Sequence, residues 1–164
     1  MIAILYPKGD EIGSYLAYRT RAAALGQELE VYVPPRAGRR AILPKEIRYI
    51  LKKARSGFLI VGDPEIGLDN FTWAELNFLL ESGKKVKSLA PADWIGLEDL
   101  QGLLPVRDIL VYDIENPSEI LRVLKKEIER EEKMKPGEKA LLAVALMGIA
   151  FLFMWGLAET SKRR

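Results

Sequence analysis

The sequence lacks two residue types on which many catalytic and metal sites depend: its 164 residues include neither cysteine nor histidine. Without cysteine, disulfides, thiol nucleophiles and thiolate metal sites are excluded. Without histidine, the commonest general base and metal ligand is also absent. The ionisable catalysts of an enzyme with this sequence must therefore be Asp, Glu, Lys or Tyr, and we expect neither a metal nor a bound cofactor.

Two phosphate-binding motifs are absent as well. GxGxxG does not follow the first predicted strand and GxxxxGK[ST] occurs nowhere, so no dinucleotide fingerprint or P-loop is indicated. Amide side chains are scarce, with two Gln and three Asn beside 16 Glu. Together with the missing cysteine, this composition is typical of thermophile proteins.

Charge is missing from one long stretch of the chain. Residues 140–158 are 19 consecutive uncharged residues, and nine of them are Leu, Ile, Val or Phe. At ~1.5 Å per residue a helix of this length spans about 28 Å, close to the hydrocarbon core of a bilayer. We therefore predict one transmembrane helix over 140–158, with the lipid bilayer as its partner. An α/β domain (1–133) and a linker (134–139) precede it, and a basic tail (159–164) follows.

The residues that flank this run predict its orientation. Six Lys or Arg lie within the fifteen residues before it and three lie after it, and basic residues favour the cytoplasmic side. The first residues have neither the basic nor the apolar region of a signal peptide. We expect a single-pass, tail-anchored protein of the cell membrane with its amino-terminal domain in the cytoplasm.

The rest of the chain is neutral overall but locally polarised. Residues 1–158 hold 22 basic and 22 acidic side chains, so the sequence pI of 8.8 comes from the tail and a nucleic-acid partner is disfavoured. Residues 36–55 contain eight basic side chains and one acidic one, whereas residues 57–82 contain five carboxylates and no basic side chain.

Strands alternate with helices in the predicted domain. Short apolar segments bounded by turn residues predict five strands, and the segments between them have helical periodicity or helix-start signals. The predicted strands are 2–6, 29–33, 58–61, 86–89 and 109–112, and a helix is predicted over 72–82 after the third strand. This alternation predicts a three-layer, doubly wound, five-stranded parallel sheet of order 2-1-3-4-5, which is flavodoxin-like.

In such sheets ligands bind outside the carboxyl ends of the strands, where the winding reverses between the first and third strands. Two loops follow those strands, 7–10 and 62–70, and together they form the candidate site.

Several short motifs accompany this strand order. They are PPRAGRR at 34–40, FLIV at 58–61, TWAEL at 72–76 and GKKV at 83–86. In this arrangement most of the first 91 residues resemble a Toll-interleukin receptor (TIR) domain, and they are also similar to the nucleoside deoxyribosyltransferases. The resemblance implies a TIR-like fold and an activity at the N-glycosidic bond of NAD or a nucleoside.

The resemblance also implies roles for particular residues. Glu75 matches the glutamate that attacks or stabilises the anomeric carbon, and Asp69 matches the aspartate before it; the glycine that precedes the threonine in deoxyribosyltransferases is Phe71 here. A carboxylate is suited to an oxocarbenium-like transition state. The remaining candidates would bind the base, ribose or phosphate of the substrate: Tyr6, Lys8, Asp10, Asp63, Glu65 and Trp73.

Each of these residues also has a purely structural interpretation. Thr72 and Glu75 have the spacing of a capping box, in which the glutamate only satisfies the helix start. Asp63 and Asp69 begin turns in this interpretation, Trp73 packs in the core and Lys8 is a solvated loop residue.

The basic segment predicts a second type of function. Arg36, Arg39 and Arg40 lie where TIR domains carry a loop that mediates self-association, and the acidic segment of a second copy is a candidate receptor for it. The alternative function is therefore a non-catalytic, membrane-tethered interaction module that assembles into homo-oligomers. A solvated surface and a contact with anionic lipid headgroups are further interpretations of the same charges.

Overall fold

The computed structural model describes residues 1–25, 30–35 and 43–113. These residues form a five-stranded sheet in which every neighbouring pair is parallel, with the order β2-β1-β3-β4-β5. The strands are β1 (Ile2–Leu5), β2 (Val31–Tyr32), β3 (Ser56–Ile60), β4 (Lys85–Pro91) and β5 (Ile109–Tyr112). The helices are α1 (Glu11–Leu25), α2 (Lys45–Lys53), α3 (Asn70–Glu81) and α4 (Leu97–Leu103), and a short 3-10 helix (Val106–Asp108) precedes β5. The predicted α/β class and strand order are confirmed.

The helices lie on both faces of the sheet. Because consecutive side chains of a strand point to opposite faces, each strand supplies residues to two separate cores. One core joins alternate strand residues to α2, α3 and α4, and none of the α1 side chains that the structure describes is a fully buried member of it. Leu16 and Ala17 of α1 are buried but do not belong to this core. They pack on the opposite face of the sheet, where a right-handed crossover from β1 to β2 places α1. The first core includes Ala3, Leu5, Leu51, Leu59, Val61, Leu76, Leu79, Ala90 and Leu100.

Most element boundaries differ from the predicted ones by one or two residues, and three of these differences have a physical reason or affect the site. β2 has only two described residues because it is an edge strand that pairs with β1 alone and is followed by Pro34 and Pro35. β4 extends to Pro91, since β5 pairs with it over its last four residues. Helix α3 begins at Asn70 rather than at Thr72, and the residue that starts it changes the interpretation of the site.

Several predictions lie outside the described residues. They are the transmembrane helix over 140–158, the linker (134–139), the tail (159–164) and the interaction loop with Arg36, Arg39 and Arg40. Within the described ranges, no helix combines the length and the apolar character that crossing a bilayer requires.

Candidate functional site

The two candidate loops lie side by side at the carboxyl edge of the sheet. β1 and β3 are neighbours with Leu5 opposite Leu59, so the chain leaves both strands at the same level. Two hydrogen bonds then join the loops: Lys8 N donates to Asp69 Oδ2 at 2.8 Å, and Gly62 N donates to Asp10 Oδ2 at 2.7 Å. The site predicted from strand order is therefore a single connected region.

Asp10 connects the start of α1 to the end of β3. Its side chain is buried and also accepts a hydrogen bond from Gly13 N at 2.7 Å, which satisfies a free amide of the first helical turn. Burial raises the pKa of Asp10 above its ordinary value, hydrogen bonds from the backbone amides of Gly62, Gly13 and Asp63 oppose that shift, and the charge of Asp63 adds to it. Asp10 therefore holds the two loops together, and its carboxylate is enclosed by backbone groups of this chain.

Two glycines permit this close approach. A Cβ atom at Gly62 would lie 2.5 Å from Ile12 Cβ and 2.7 Å from Gly13 N, and one at Gly13 would overlap the Asp10 carboxylate. The Ile12 Cβ and Gly13 N atoms are fixed to the backbone of α1, so they could move away from an added Cβ only if α1 itself shifted. The space between the start of α1 and the end of β3 is thus filled by protein atoms.

Asp69 is the N-cap of α3. Its Oδ1 accepts hydrogen bonds from Phe71 N at 3.0 Å and from Thr72 N at 3.3 Å. Its Oδ2 lies 2.6 Å from the Thr72 hydroxyl and accepts the hydrogen bond from Lys8 N. Burial alone would raise the pKa of Asp69, but these hydrogen bonds outweigh it and hold the pKa below the ordinary value of 3.8. Asp69 was interpreted as a residue that begins a turn, and in the structure it begins helix α3.

The interpretation in which Thr72 and Glu75 form a capping box at the start of α3 is wrong. Asp69 occupies the cap, and Thr72 is the third residue of the helix, with its side chain fully buried. The Thr72 hydroxyl lies 3.2 Å from the carbonyl oxygen of Tyr6 as well as close to Asp69. Thr72 thus connects the end of β1 to the start of α3, a role that the Asp-x-x-Thr spacing could have suggested.

Glu75 lies in the second turn of α3, so it does not form a capping box at the helix start. It shares the sheet-facing side of the helix with Thr72, Leu76 and Leu79, and its exposed fraction is 0%. An ionisable side chain is costly to enclose between a helix and a sheet, because it loses its hydration. Glu75 is therefore an unusual core residue whose position is not explained by helix capping.

The other predicted substrate-binding residues have separate environments. The Asp63 carboxylate accepts a hydrogen bond from Glu65 N at 2.9 Å and so forms the turn that its structural interpretation predicted. Lys8 and Glu65 are exposed. Tyr6 is buried, and its ring meets that of Tyr18 edge-on at 6.3 Å. Trp73 is partly buried and packs against the core.

Sequence patterns gave no indication of two further contacts at this edge. The Tyr112 hydroxyl donates to Val61 O at 2.9 Å, and Trp94 Nε1 donates to Ile66 O at 2.7 Å. Burial raises the pKa of Tyr112 well above its ordinary value, and the charges of Asp10, Asp93 and Asp63 add to the shift. Tyr112 ends β5 and Trp94 follows β4, so both lie at the carboxyl edge of the sheet. Their position after these strands is the sequence feature that could have identified them as residues of this region.

The acidic segment is less accessible than its composition indicated. Of its five carboxylates, Glu75 is enclosed and Asp69 is occupied by backbone amides, so Asp63, Glu65 and Glu81 remain to face a partner. In the described part of the chain, no three acidic side chains are grouped as metal ligands.

The chain was compared with protein-family models, curated proteins and solved structures. None matches. The geometry of the carboxyl edge and the position of Glu75 are therefore the basis for a functional proposal.

Proposed function

We propose that this protein is a membrane-anchored, TIR-like α/β domain that hydrolyses or transfers at the N-glycosidic bond of NAD or a nucleoside, with Glu75 as its central carboxylate. The observation that supports this proposal is the enclosure of Glu75 on the sheet-facing side of α3, in a turn where it does not cap the helix. Enclosed carboxylates near a ligand-binding edge are frequently functional.

The chemistry requires no histidine or metal. As the bond between the ribosyl anomeric carbon and the base nitrogen breaks, positive charge develops on the ribosyl ring, and a carboxylate stabilises that charge or bonds to the anomeric carbon. Water or an acceptor base then takes the ribosyl group, and the departing base takes the bonding electron pair. Lys8, Asp63, Glu65 and Trp73 remain proposed substrate-binding residues, with Asp69 as a proposed participant. Tyr6 and Asp10 are proposed for the same role, but both are buried and meet a substrate only if this edge opens.

The enclosure of Glu75 also imposes a condition. A ribosyl group reaches this carboxylate only if the surface that covers it opens, because its exposed fraction is 0% in the described structure. Loops that close over a substrate and exclude water are common in enzymes.

Substitution of Glu75 tests the proposal. The full chain, purified in detergent, is incubated with NAD and with nucleosides, and released base is quantified. Glu75→Gln keeps the size of the side chain but removes the negative charge that stabilises the ribosyl cation, so we expect release to fall roughly 100- to 1,000-fold. Glu81→Gln is the matched control because Glu81 is an exposed glutamate at the end of the same helix. An active, folded Glu75→Gln protein would refute the catalytic role.

A second candidate function follows from the same enclosure. A glutamate that solvent does not reach is compatible with a non-catalytic module that assembles at the membrane through Arg36, Arg39 and Arg40. Such a module leaves NAD and nucleosides intact in the same incubation. Absence of turnover by the unmodified protein would therefore favour assembly over catalysis.

A further inference from the structure

The outer side of α2 is the most strongly basic surface in the described part of the chain. Lys45, Arg48, Lys52 and Lys53 are all exposed on this nine-residue helix, opposed by Glu46 alone, and the exposed Arg55 follows after the C-cap residue, Ala54. We call these five cations the basic face of α2. Helices α3 and α4 belong to the same layer and contain no Lys or Arg, so positive charge is concentrated on one helix.

An aromatic ring lies within the basic face. Tyr49 is 62% exposed, and Lys53 Nζ lies 4.2 Å from the centre of its ring. Nothing in the described core requires a ring at this position, because the core side of α2 is formed by Leu51 with Ile47 packed beside it. A tyrosine among lysines and arginines is suited to a membrane interface, where the ring meets the headgroup region and the cations meet phosphates.

From this pattern we infer that the basic face of α2 contacts the anionic headgroups of the membrane to which the chain is anchored. The inference rests on the proposed anchor over 140–158. Residues 114–139 separate that segment from the last described residue, Asp113. The six residues of the proposed linker (134–139) extend to roughly 20–22 Å at most, so the proposed anchor keeps the domain close to the bilayer surface.

The acidic segment of a second copy is a poorer match to this face. Its accessible carboxylates are Asp63, Glu65 and Glu81. The first two precede α3 and Glu81 is its last residue, so the whole helix, which is about 18 Å long, lies between them in the chain. Two acidic positions separated in this way do not form one surface complementary to a nine-residue basic helix.

A nucleic acid is also a poorer match. Specific DNA-binding proteins neutralise on the order of six to ten phosphates, whereas the basic face of α2 offers five cations and residues 1–158 are neutral overall. A membrane anchor instead keeps anionic headgroups at high local concentration, so a few cations suffice for contact.

The absence of cysteine allows a direct test in the full chain. Tyr49→Cys on α2 and Tyr15→Cys on α1 each introduce one thiol at an exposed tyrosine, on opposite faces of the sheet. Each protein is labelled with an environment-sensitive fluorophore and reconstituted into vesicles of phosphatidylcholine alone or with phosphatidylglycerol.

We expect a blue shift of the label at position 49 only in the vesicles that contain phosphatidylglycerol. The shift should disappear at about 0.5 M salt, where the Debye length is on the order of 4 Å. Arg48→Glu with Lys52→Glu should abolish it. The matched control, Arg19→Glu with Arg21→Glu on α1, should leave it unchanged.

Other outcomes overturn the inference and identify what replaces it. An equal or larger shift at position 15 would place the other side of the domain on the bilayer. A shift that depends on protein concentration in lipid-free micelles would indicate a second copy, and one produced there by duplex DNA would indicate a nucleic acid.

Two further outcomes separate the contact from the anchor. If the protein stays bound to both kinds of vesicle and the label does not shift, the contact is refuted but the anchor is not. If the protein binds neither kind of vesicle, the anchor is refuted as well. Loss of NAD turnover in Glu75→Gln is measured separately and depends on neither result.

Discussion

Single side chains at the carboxyl edge have roles that a sequence pattern only partly indicates. Asp69 was predicted to lie at the site, and it does, but its oxygens are occupied by the amides of Lys8, Phe71 and Thr72. Strand order was sufficient to place its loop at the carboxyl edge of the sheet. Its hydrogen-bond partners could not be predicted, because Lys8 is 61 residues away in the chain and meets Asp69 only after β1 and β3 pair.

The cap formed by Asp69 predicts a specific pH dependence. Its folded-state pKa lies below 3.8, so its stabilising contribution is present above that value and is lost as the pH falls through the folded pKa. Asp69→Asn should lower the thermal unfolding midpoint at neutral pH. The difference from the unmodified protein should shrink as the pH falls from about 5 towards 2.

Tryptophan fluorescence during heating measures this midpoint in detergent. Asp99→Asn, at an exposed carboxylate of α4, is the control and should give a small difference. A gap between Asp69→Asn and the unmodified protein that stays constant down to pH 2 would show that the Asp69 charge does not contribute to stability.

At the scale of elements, the order of the sheet was well predicted, whereas the start of α3 was not. Strand order follows from the alternation of apolar strands with helices and from the handedness of crossovers, both of which are readable in a sequence. The start of α3 depends on whether Asp69 or Thr72 caps the helix, and both types are good N-caps. In the structure the Thr72 hydroxyl contacts Tyr6 O inside the protein, and Asp69 caps the helix. The contact with Tyr6 exists only in the folded sheet, so the sequence does not show it.

The contact between α1 and the end of β3 depends on Gly62. A Cβ at this residue would lie 2.7 Å from Gly13 N, a backbone atom that cannot rotate away. Gly62→Ala should therefore destabilise the domain by about 1–3 kcal/mol in urea unfolding, since α1 must shift.

Gly102 offers a matched control in α4, because no atom outside its own helix lies within 4 Å of a Cβ there. Gly102→Ala should leave stability unchanged or raise it by up to about 1 kcal/mol, through the better helix propensity of alanine. Equal effects of the two substitutions would show that α1 and β3 are not packed as closely as the structure indicates.

At the scale of the whole molecule, basic and acidic side chains are nearly equal in number but are concentrated on different helices. The domain is neutral, yet the outer layer of helices is basic at α2 and acidic at α3 and α4. Composition alone predicted segments of opposite charge. It could not predict that Glu75 leaves the surface altogether, because burial is decided by which side of α3 faces the sheet.

The proposed anchor can be tested by its insertion energy. Nine Leu, Ile, Val or Phe residues within 140–158 favour insertion by about 4 kcal/mol, and no charge opposes them. Two arginines near the middle, introduced by Leu146→Arg with Ile149→Arg, cost roughly 5–7 kcal/mol and also remove two favourable residues. The sum becomes unfavourable, so membranes that hold the unmodified chain through a carbonate wash should release the double variant. Leu146→Ala with Ile149→Ala adds no charge and should stay in the membrane. Release of the unmodified chain by carbonate would exclude an integral helix.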